Sequence, residues 1–160
     1  MIIKGIVEED FVNYKKPSMV IMFPNCTFKC EKDCGKRVCQ NGALAKTAAF
    51  DIARRKICER YIANPITSAI VFGGLEPLDS FRDVLWLIHD FRMLGVNDDI
   101  VIYTGYKEDE VENMSPYAKL KEFENIVIKF GRYVPDQKPH YDEVLGINLA
   151  SDNQYGKKIT

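Results

Sequence analysis

The sequence predicts an α/β fold with a mostly parallel sheet covered by helices. Short, almost wholly apolar segments alternate along the chain with amphipathic segments of helical period. Strands that are buried on both faces carry such continuous apolar runs, and parallel strands need crossover connections between them. The 160 residues suffice for one hydrophobic core, so we expect a single domain, 1–160.

Four apolar runs are predicted to form the parallel strands. Each is followed at once by residues that turn the chain, namely Pro24-Asn25, Gly73-Gly74, Thr104-Gly105 or Gly131. Ligands of such sheets bind beyond the carboxyl ends of the strands, so the four loops are expected to converge on one site. The predicted strands cover residues 18–23, 68–72, 100–103 and 126–130.

Two longer amphipathic helices are predicted between these strands. In the first, apolar residues recur at helical spacing over 50–61 until Asn64-Pro65 ends the pattern. The second begins after Ser80, which is expected to form a capping box with Asp83, and ends before Gly95. The predicted core-facing residues are Phe50, Ala53, Ile57 and Tyr61 in the first helix and Phe81, Val84, Leu85, Ile88 and Phe91 in the second.

The remainder of the chain has weaker patterns. A short helical stretch after the third strand is broken at Ser115-Pro116. The last segment, 132–160, is polar and contains Pro135, Pro139 and Gly146. We therefore expect it to form an extended tail or lid.

Composition excludes several classes of protein. Hydrophobic residues make up 46% and charged residues 28% of the chain, which argues against disorder, a fibrous repeat and a membrane protein. With 22 lysines and arginines against 23 acidic residues, the formal charge is −1, and no excess of positive charge attracts nucleic acid. No apolar run resembles a secretion signal or a membrane span, so we expect a cytoplasmic protein with no nucleic-acid or membrane partner.

Four of the five cysteines lie in one loop, 24–41, directly after the first predicted parallel strand. A reducing compartment disfavours disulfides, so this group indicates metal binding or redox chemistry. The spacing fits an iron-sulfur cluster with three cysteine ligands better than a zinc ribbon, which needs a second pair of ligands; a four-cysteine zinc module is the alternative. The loop contains Cys26, Cys30, Cys34 and Cys39, whereas Cys58 is predicted to be a buried thiol of the first helix.

Several motifs accompany these cysteines. Cys26-Thr27-Phe28-Lys29-Cys30 holds two cysteines three residues apart with an aromatic residue between them, and Gly73-Gly74 is followed by Glu76-Pro77. Tyr103-Thr104-Gly105-Tyr106 follows a predicted core strand, and Ser151-Asp152-Asn153-Gln154 lies near the end. Together these motifs resemble those of the radical S-adenosylmethionine enzymes, most closely the activating proteins of anaerobic ribonucleotide reductase.

The resemblance implies a partial, incompletely closed (β/α) barrel and two cofactors, a [4Fe-4S] cluster and S-adenosyl-L-methionine. In that family one electron from the cluster cleaves the sulfonium, and the resulting 5′-deoxyadenosyl radical takes hydrogen from a glycine of the partner reductase. The implied partners are thus a glycyl-radical enzyme, here anaerobic ribonucleoside-triphosphate reductase, and a low-potential electron donor such as flavodoxin. Another peptide or a small molecule is an alternative target. No catalytic residue beyond the cluster ligands is implied.

The resemblance also assigns residues. Cys26 and Cys30 are implied as cluster ligands, and the third ligand is either Cys34, after three further residues, or Cys39, after eight. Cys39 is preferred because Cys39-Gln40-Asn41 has the asparagine that follows the third cysteine in the activators, although the family's usual spacing is nearer to Cys34. An extra residue, Leu75, interrupts the glycine motif. The residues implied to bind the cofactors are Phe28, Val38, Gly73, Gly74, Glu76, Pro77, Tyr103 and Thr104.

Overall fold

The computed structural model describes residues 1–160 and contains a central six-stranded sheet. The strands are β1 (Ile2–Ile3), β2 (Gly5–Asp10), β3 (Ser18–Phe23), β4 (Phe50–Asp51), β5 (Ala69–Gly74), β6 (Asp99–Tyr103), β7 (Ile126–Phe130), β8 (His140–Asp142), β9 (Ile147–Leu149) and β10 (Tyr155–Lys158). The order across the central sheet is β10-β7-β6-β5-β3-β2. Strands β3, β5, β6 and β7 are mutually parallel, and β2 and β10 pair antiparallel at the edges. The predicted α/β fold with a mostly parallel sheet is confirmed.

Helices connect the parallel strands. They are α1 (Lys29–Cys34), α2 (Gly42–Lys46), α3 (Arg54–Ala63), α4 (Phe81–Met93), α5 (Glu108–Glu112) and α6 (Tyr117–Leu120), and a 3-10 turn, Pro77–Ser80, precedes α4. None of them is both long enough and apolar enough to cross a bilayer.

Several local predictions about these helices are wrong. Phe50 does not begin α3, because it lies in β4 and pairs with Ile3 of β1. Ala53 immediately precedes α3 and is exposed, so it does not face the core. Ser80 makes no capping bond with α4; the preceding 3-10 turn runs directly into the helix, and the Ser80 hydroxyl accepts a hydrogen bond from Asn25 instead. In α4 the fully buried leucine is Leu87, whereas Leu85 is only partly buried.

Successive residues of the parallel strands point to opposite faces of the sheet. Met19, Ile21 and Phe23 of β3 join the larger hydrophobic cluster, which includes the buried residues of α3 and α4. Val20 of the same strand joins a smaller cluster on the other face, together with residues of the C-terminal segment. Cys58 is fully buried in the larger cluster, as predicted.

The segment 132–160 is not an extended tail throughout, which corrects one of the two predicted alternatives; that it acts as a lid stays a prediction. β8 and β9 form an antiparallel pair, and β10 adds an edge strand to β7. Gly156 of β10 also donates a backbone hydrogen bond of 2.8 Å to the Asp142 carboxylate of β8. Backbone pairing and two buried apolar residues, Leu145 and Leu149, therefore hold this polar segment against the sheet.

Candidate functional site

A cavity of about 430 Å³ lies at the carboxyl ends of the four parallel strands. Met22, Gly73, Tyr103 and Lys129, one from each strand, line it from the same face of the sheet. The loops that follow these strands also contribute lining residues, so the predicted convergence of four loops is confirmed. The lining includes nine of the predicted site residues: Cys26, Cys30, Val38, Cys39, Gly73, Gly74, Glu76, Tyr103 and Thr104.

The other three predicted site residues do not line the cavity. Phe28 has a left-handed backbone, with φ of 53°, and its N–H donates a hydrogen bond of 3.2 Å to the Cys26 sulfur. Pro77 is buried as the first residue of the 3-10 turn. Cys34 is exposed, and its thiol faces the carbonyls of Glu31 and Lys36 at 3.8 and 3.5 Å.

The three cavity-lining thiols are partly buried neighbours. Burial raises the pKa of Cys26 to about 11, and burial together with the adjacent Cys39 raises the pKa of Cys30. The free thiols of Cys26 and Cys30 are therefore protonated at neutral pH, and binding of a metal must release their protons. The Phe28 N–H that points at the Cys26 sulfur suits a metal-bound thiolate, because such hydrogen bonds tune iron-sulfur centres.

These thiols do not surround a single point. No group of three Cys, His, Asp or Glu side chains in residues 1–160 is close enough to hold one metal ion. A tetrahedral zinc site needs its ligands around one ion, whereas each cysteine of an iron-sulfur cluster binds a different iron. Three neighbouring thiols that line one cavity are compatible with a cluster.

Ion pairs attach the cysteine loop to the rest of the protein. The six-residue helix α1 buries no side chain. Lys29 of α1 pairs with Glu110 of α5 at 2.9 Å, and Arg132 pairs with Glu110 at 2.8 Å and with Asp33 of α1 at 3.2 Å. Burial alone would raise the pKa of Glu110, but the hydrogen bonds from the Lys107 backbone, Lys29 and Arg132 lower it to about 2. We call these four residues (Lys29, Asp33, Glu110 and Arg132) the charge ring.

Asp79 provides a second attachment. Its carboxylate accepts a hydrogen bond from the Thr27 N–H at 2.7 Å and another from the Tyr106 hydroxyl at 2.5 Å. The Lys29 ammonium lies over the Tyr106 ring, 4.9 Å from its centroid. The loops after β3, β5 and β6 are thus connected to one another beside the cysteines.

The two adjacent glycines serve different purposes. A Cβ on Gly74 would lie 2.8 Å from the Met22 Cα and 2.9 Å from the Phe23 N, and its φ is 85°. A Cβ on Gly73 would meet no atom within 4 Å, because it would point into the cavity. Gly74 is therefore required for β5 to approach β3, whereas the absence of a side chain at Gly73 leaves cavity space that a ligand could fill.

Glu76 is buried between two loops. One carboxylate oxygen accepts a hydrogen bond from the Leu78 N–H at 3.1 Å, and the other accepts one from the Gly105 N–H at 2.8 Å. Burial raises the pKa of Glu76 to about 7, although these bonds and one from Thr104 favour the ionised form. The residue thus fixes the end of β6 relative to the end of β5.

Lys129 is a site residue that the sequence reasoning missed. Lys129 is 7% exposed and belongs to the strand residues that face the cavity. Its ammonium donates a hydrogen bond of 2.7 Å to the Gly131 carbonyl. Burial lowers its pKa to about 8. The signal in the sequence was a single charge within the otherwise apolar run 126–130.

Comparisons with known proteins identify the domain family. No curated protein and no solved structure matches the chain at a significant level. Residues 17–154 match the family model described as a 4Fe-4S single cluster domain, and this range includes every residue that lines the cavity except Val12 and Asn13. Because the match spans most of the sequence, the chain belongs to the family of 4Fe-4S single cluster domains.

Proposed function

We propose that this protein is a radical S-adenosylmethionine enzyme that forms a glycyl radical on an anaerobic ribonucleoside-triphosphate reductase. The observation that carries the proposal is the shared cavity: Cys26, Cys30 and Cys39 line it together with Gly73. Family membership supports the 4Fe-4S cluster and redox chemistry. The S-adenosylmethionine cofactor and the glycyl-radical target are our inference from the sequence motifs.

In this proposal Cys26, Cys30 and Cys39 are the cluster ligands. Three cysteines leave one iron open for a further ligand, which suits the cavity beside them. Cys34 is exposed and is absent from the cavity lining, which favours Cys39 as the third ligand. When bound, the cluster and S-adenosylmethionine supply one-electron cleavage of the sulfonium.

The chain's own residues would bind and orient the methionyl end of the cofactor. The missing side chain of Gly73 leaves cavity space beside its backbone, and the buried Glu76 carboxylate is an acceptor for an ammonium group. Lys129 has N–H groups beyond the one that it donates to Gly131, and they are available to a carboxylate. These groups of opposite charge match the zwitterionic end of an amino acid.

The cavity also suits radical chemistry. Its volume of about 430 Å³ lies within the roughly 300–1,000 Å³ typical of small-molecule sites. Away from the cysteines its walls include the apolar side chains of Val20, Val71, Ile147 and Leu149. An apolar wall excludes water from a reactive intermediate. The four parallel strands with the cavity on one face would correspond to the partial barrel of radical S-adenosylmethionine enzymes.

Anaerobic reconstitution with iron and sulfide tests the proposal. We expect a 4Fe-4S absorbance spectrum and, after chemical reduction, release of 5′-deoxyadenosine from S-adenosylmethionine. Added anaerobic reductase should then develop a glycyl-radical signal in electron paramagnetic resonance, and a reductase without that glycine is the matched control. Stoichiometric zinc without iron or sulfide would contradict the proposal and support a zinc module. Cleavage of the cofactor without a radical on the reductase would favour another peptide or a small molecule as the target.

A further inference from the structure

The cysteine loop carries exposed positive charge that the protein does not neutralise. Lys32, Lys36 and Arg37 lie within six consecutive residues, and all three are exposed. None of them belongs to the ion pairs of the structure. We call these three residues the basic face.

The acidic residues of the same loop are engaged elsewhere. Glu31 accepts a hydrogen bond of 3.3 Å from the Cys39 N–H, and Asp33 pairs with Arg132 at 3.2 Å. Residues 34–50 contain no aspartate or glutamate. The loop is therefore locally basic, although the whole chain has a formal charge of −1.

The basic face is separate from the cavity. The cavity lining includes Lys29, Cys30, Val38 and Cys39 but none of residues 31–37. A substrate must enter the cavity, whereas an electron can reach a cluster held by Cys30 and Cys39 through the loop itself. The basic face therefore suits a partner that exchanges only electrons with the site.

We propose that the basic face docks an acidic one-electron carrier protein that reduces the cluster. The inference rests on the proposed ligation of the cluster by Cys26, Cys30 and Cys39. One electron leaves a reduced flavin or iron-sulfur centre of the carrier, which is thereby oxidised, and the cluster is reduced by one electron; no bond forms or breaks. Electron-transfer complexes bury little surface and depend on complementary charge for fast association. An unneutralised basic patch beside the cluster ligands meets that need.

A charge-reversal variant tests this inference. Lys32→Glu, Lys36→Glu and Arg37→Glu are combined, and the control combines Lys119→Glu, Lys121→Glu and Lys138→Glu. The control lysines are also exposed and lie outside the cysteine loop, and both variants undergo the same change of net charge. The probe is a prereduced acidic plant-type ferredoxin. Its affinity is measured by calorimetry, and reduction of the cluster is followed by absorbance at low and high salt.

We expect the basic-face variant to be reduced by ferredoxin at least about tenfold more slowly than the parent at low salt, within the range of electrostatic steering. Its ferredoxin affinity should fall by a similar factor, and high salt should remove most of the difference. Reduction by photoreduced 5-deazariboflavin, a small neutral reagent, should be unchanged. The control variant should behave like the parent with both reductants.

Three results would each overturn this inference alone. The first is an unchanged rate of cluster reduction by ferredoxin in the basic-face variant, and the second is an equal loss of that rate in both triple variants. The third is a basic-face variant that binds ferredoxin normally but binds the anaerobic reductase more weakly. A parent protein that assembles no cluster would overturn the proposed function as well. An intact cluster that ferredoxin reduces without regard to the basic face leaves the proposed function standing. The failure of the two proposals is thus distinguishable.

Discussion

Gly73 and Gly74 are expected to respond in opposite ways to the addition of one methyl group. In Gly74→Ala the new Cβ would lie within 2.9 Å of backbone atoms of Met22 and Phe23, and the strands cannot separate without breaking their ladder. The φ of 85° adds left-handed strain. Gly73→Ala meets neither obstacle, since its Cβ would enter open space.

The expected losses of stability follow from these contacts. Left-handed strain costs about 1–2 kcal/mol for a residue with a Cβ, and overpacking against a neighbour that cannot move costs about 1–3 kcal/mol. We therefore expect Gly74→Ala to lower the free energy of unfolding by about 2–5 kcal/mol, a large part of the roughly 5–15 kcal/mol of a typical domain. Gly73→Ala should change it by less than about 1 kcal/mol.

Urea denaturation of the two variants without cofactors, followed by circular dichroism, measures this difference. The reconstituted Gly73→Ala protein should retain its cluster but bind S-adenosylmethionine at least about tenfold more weakly, because the methyl group occupies ligand space. A Gly74→Ala variant that unfolds at the parent's urea concentration would refute the steric argument. Normal binding of S-adenosylmethionine by Gly73→Ala would refute the assignment of its backbone to the ligand.

Three further outcomes are expected. Cys39→Ala should lose the cluster absorbance and Cys34→Ala should keep it; the opposite pattern would make Cys34 the third ligand. Glu110→Gln removes the charge that pairs with Lys29 and Arg132 in the charge ring, so the free energy of unfolding should fall by about 1–3 kcal/mol. The reconstituted variant should also release iron to a chelator faster than the parent. Unchanged iron release would show that the charge ring does not hold the cysteine loop. Because burial raises the pKa of Glu76 from 4.5 to about 7, the folded chain retains this proton longer than the unfolded chain. The buried carboxyl of Glu76 therefore contributes most to the free energy of unfolding below its unfolded pKa. As the pH rises from about 5 to 8, this contribution should fall by about 2 kcal/mol relative to the Glu76→Gln variant. Urea titrations of both proteins at each pH can check this.

The inner strands were predictable because burial on both faces makes each of them a continuous apolar run. β3, β5, β6 and β7 lie within one or two residues of their predicted positions. The edge strands β2 and β10 carry charged residues, with the sequences GIVEED and YGKK, and no local pattern separates them from a polar loop. Charged side chains protect an edge strand from pairing with other chains. The same charges make β2 and β10 difficult to recognise as strands from the sequence.

Long-range pairing explains the local errors. Phe50 fits a helical pattern, but its backbone pairs with Ile3, 47 residues earlier in the chain. Ser80 has the residue type of a helix cap, but its hydroxyl meets Asn25 of the cysteine loop. The sequence shows Lys129 as a single charge within an apolar strand. Only the register of the sheet shows that it lies on the same, cavity-lining face as Gly73 and Tyr103. Each outcome depends on a partner that is distant in sequence.

The extra residue Leu75 alters how the glycine motif is built. Beyond Gly74 the chain continues to pair with the end of β3: the Leu75 N–H donates to the Phe23 carbonyl at 3.2 Å, and the Glu76 N–H donates to the Asn25 carbonyl at 2.7 Å. This extension brings Glu76 beside the Gly105 N–H of the next loop.

Glu76 therefore has a structural role that a simple ligand residue would not have. An ionised carboxylate offers about four lone-pair sites, and two are used by the Leu78 and Gly105 N–H groups, which leaves room for a cofactor ammonium. Glu76→Gln should then affect both functions, since its amide would place a donor against a backbone N–H. Comparing its cofactor affinity with that of Gly73→Ala would separate ligand binding from loop stability, because only the glutamine variant should also loosen the loops around Asn25 and Gly105.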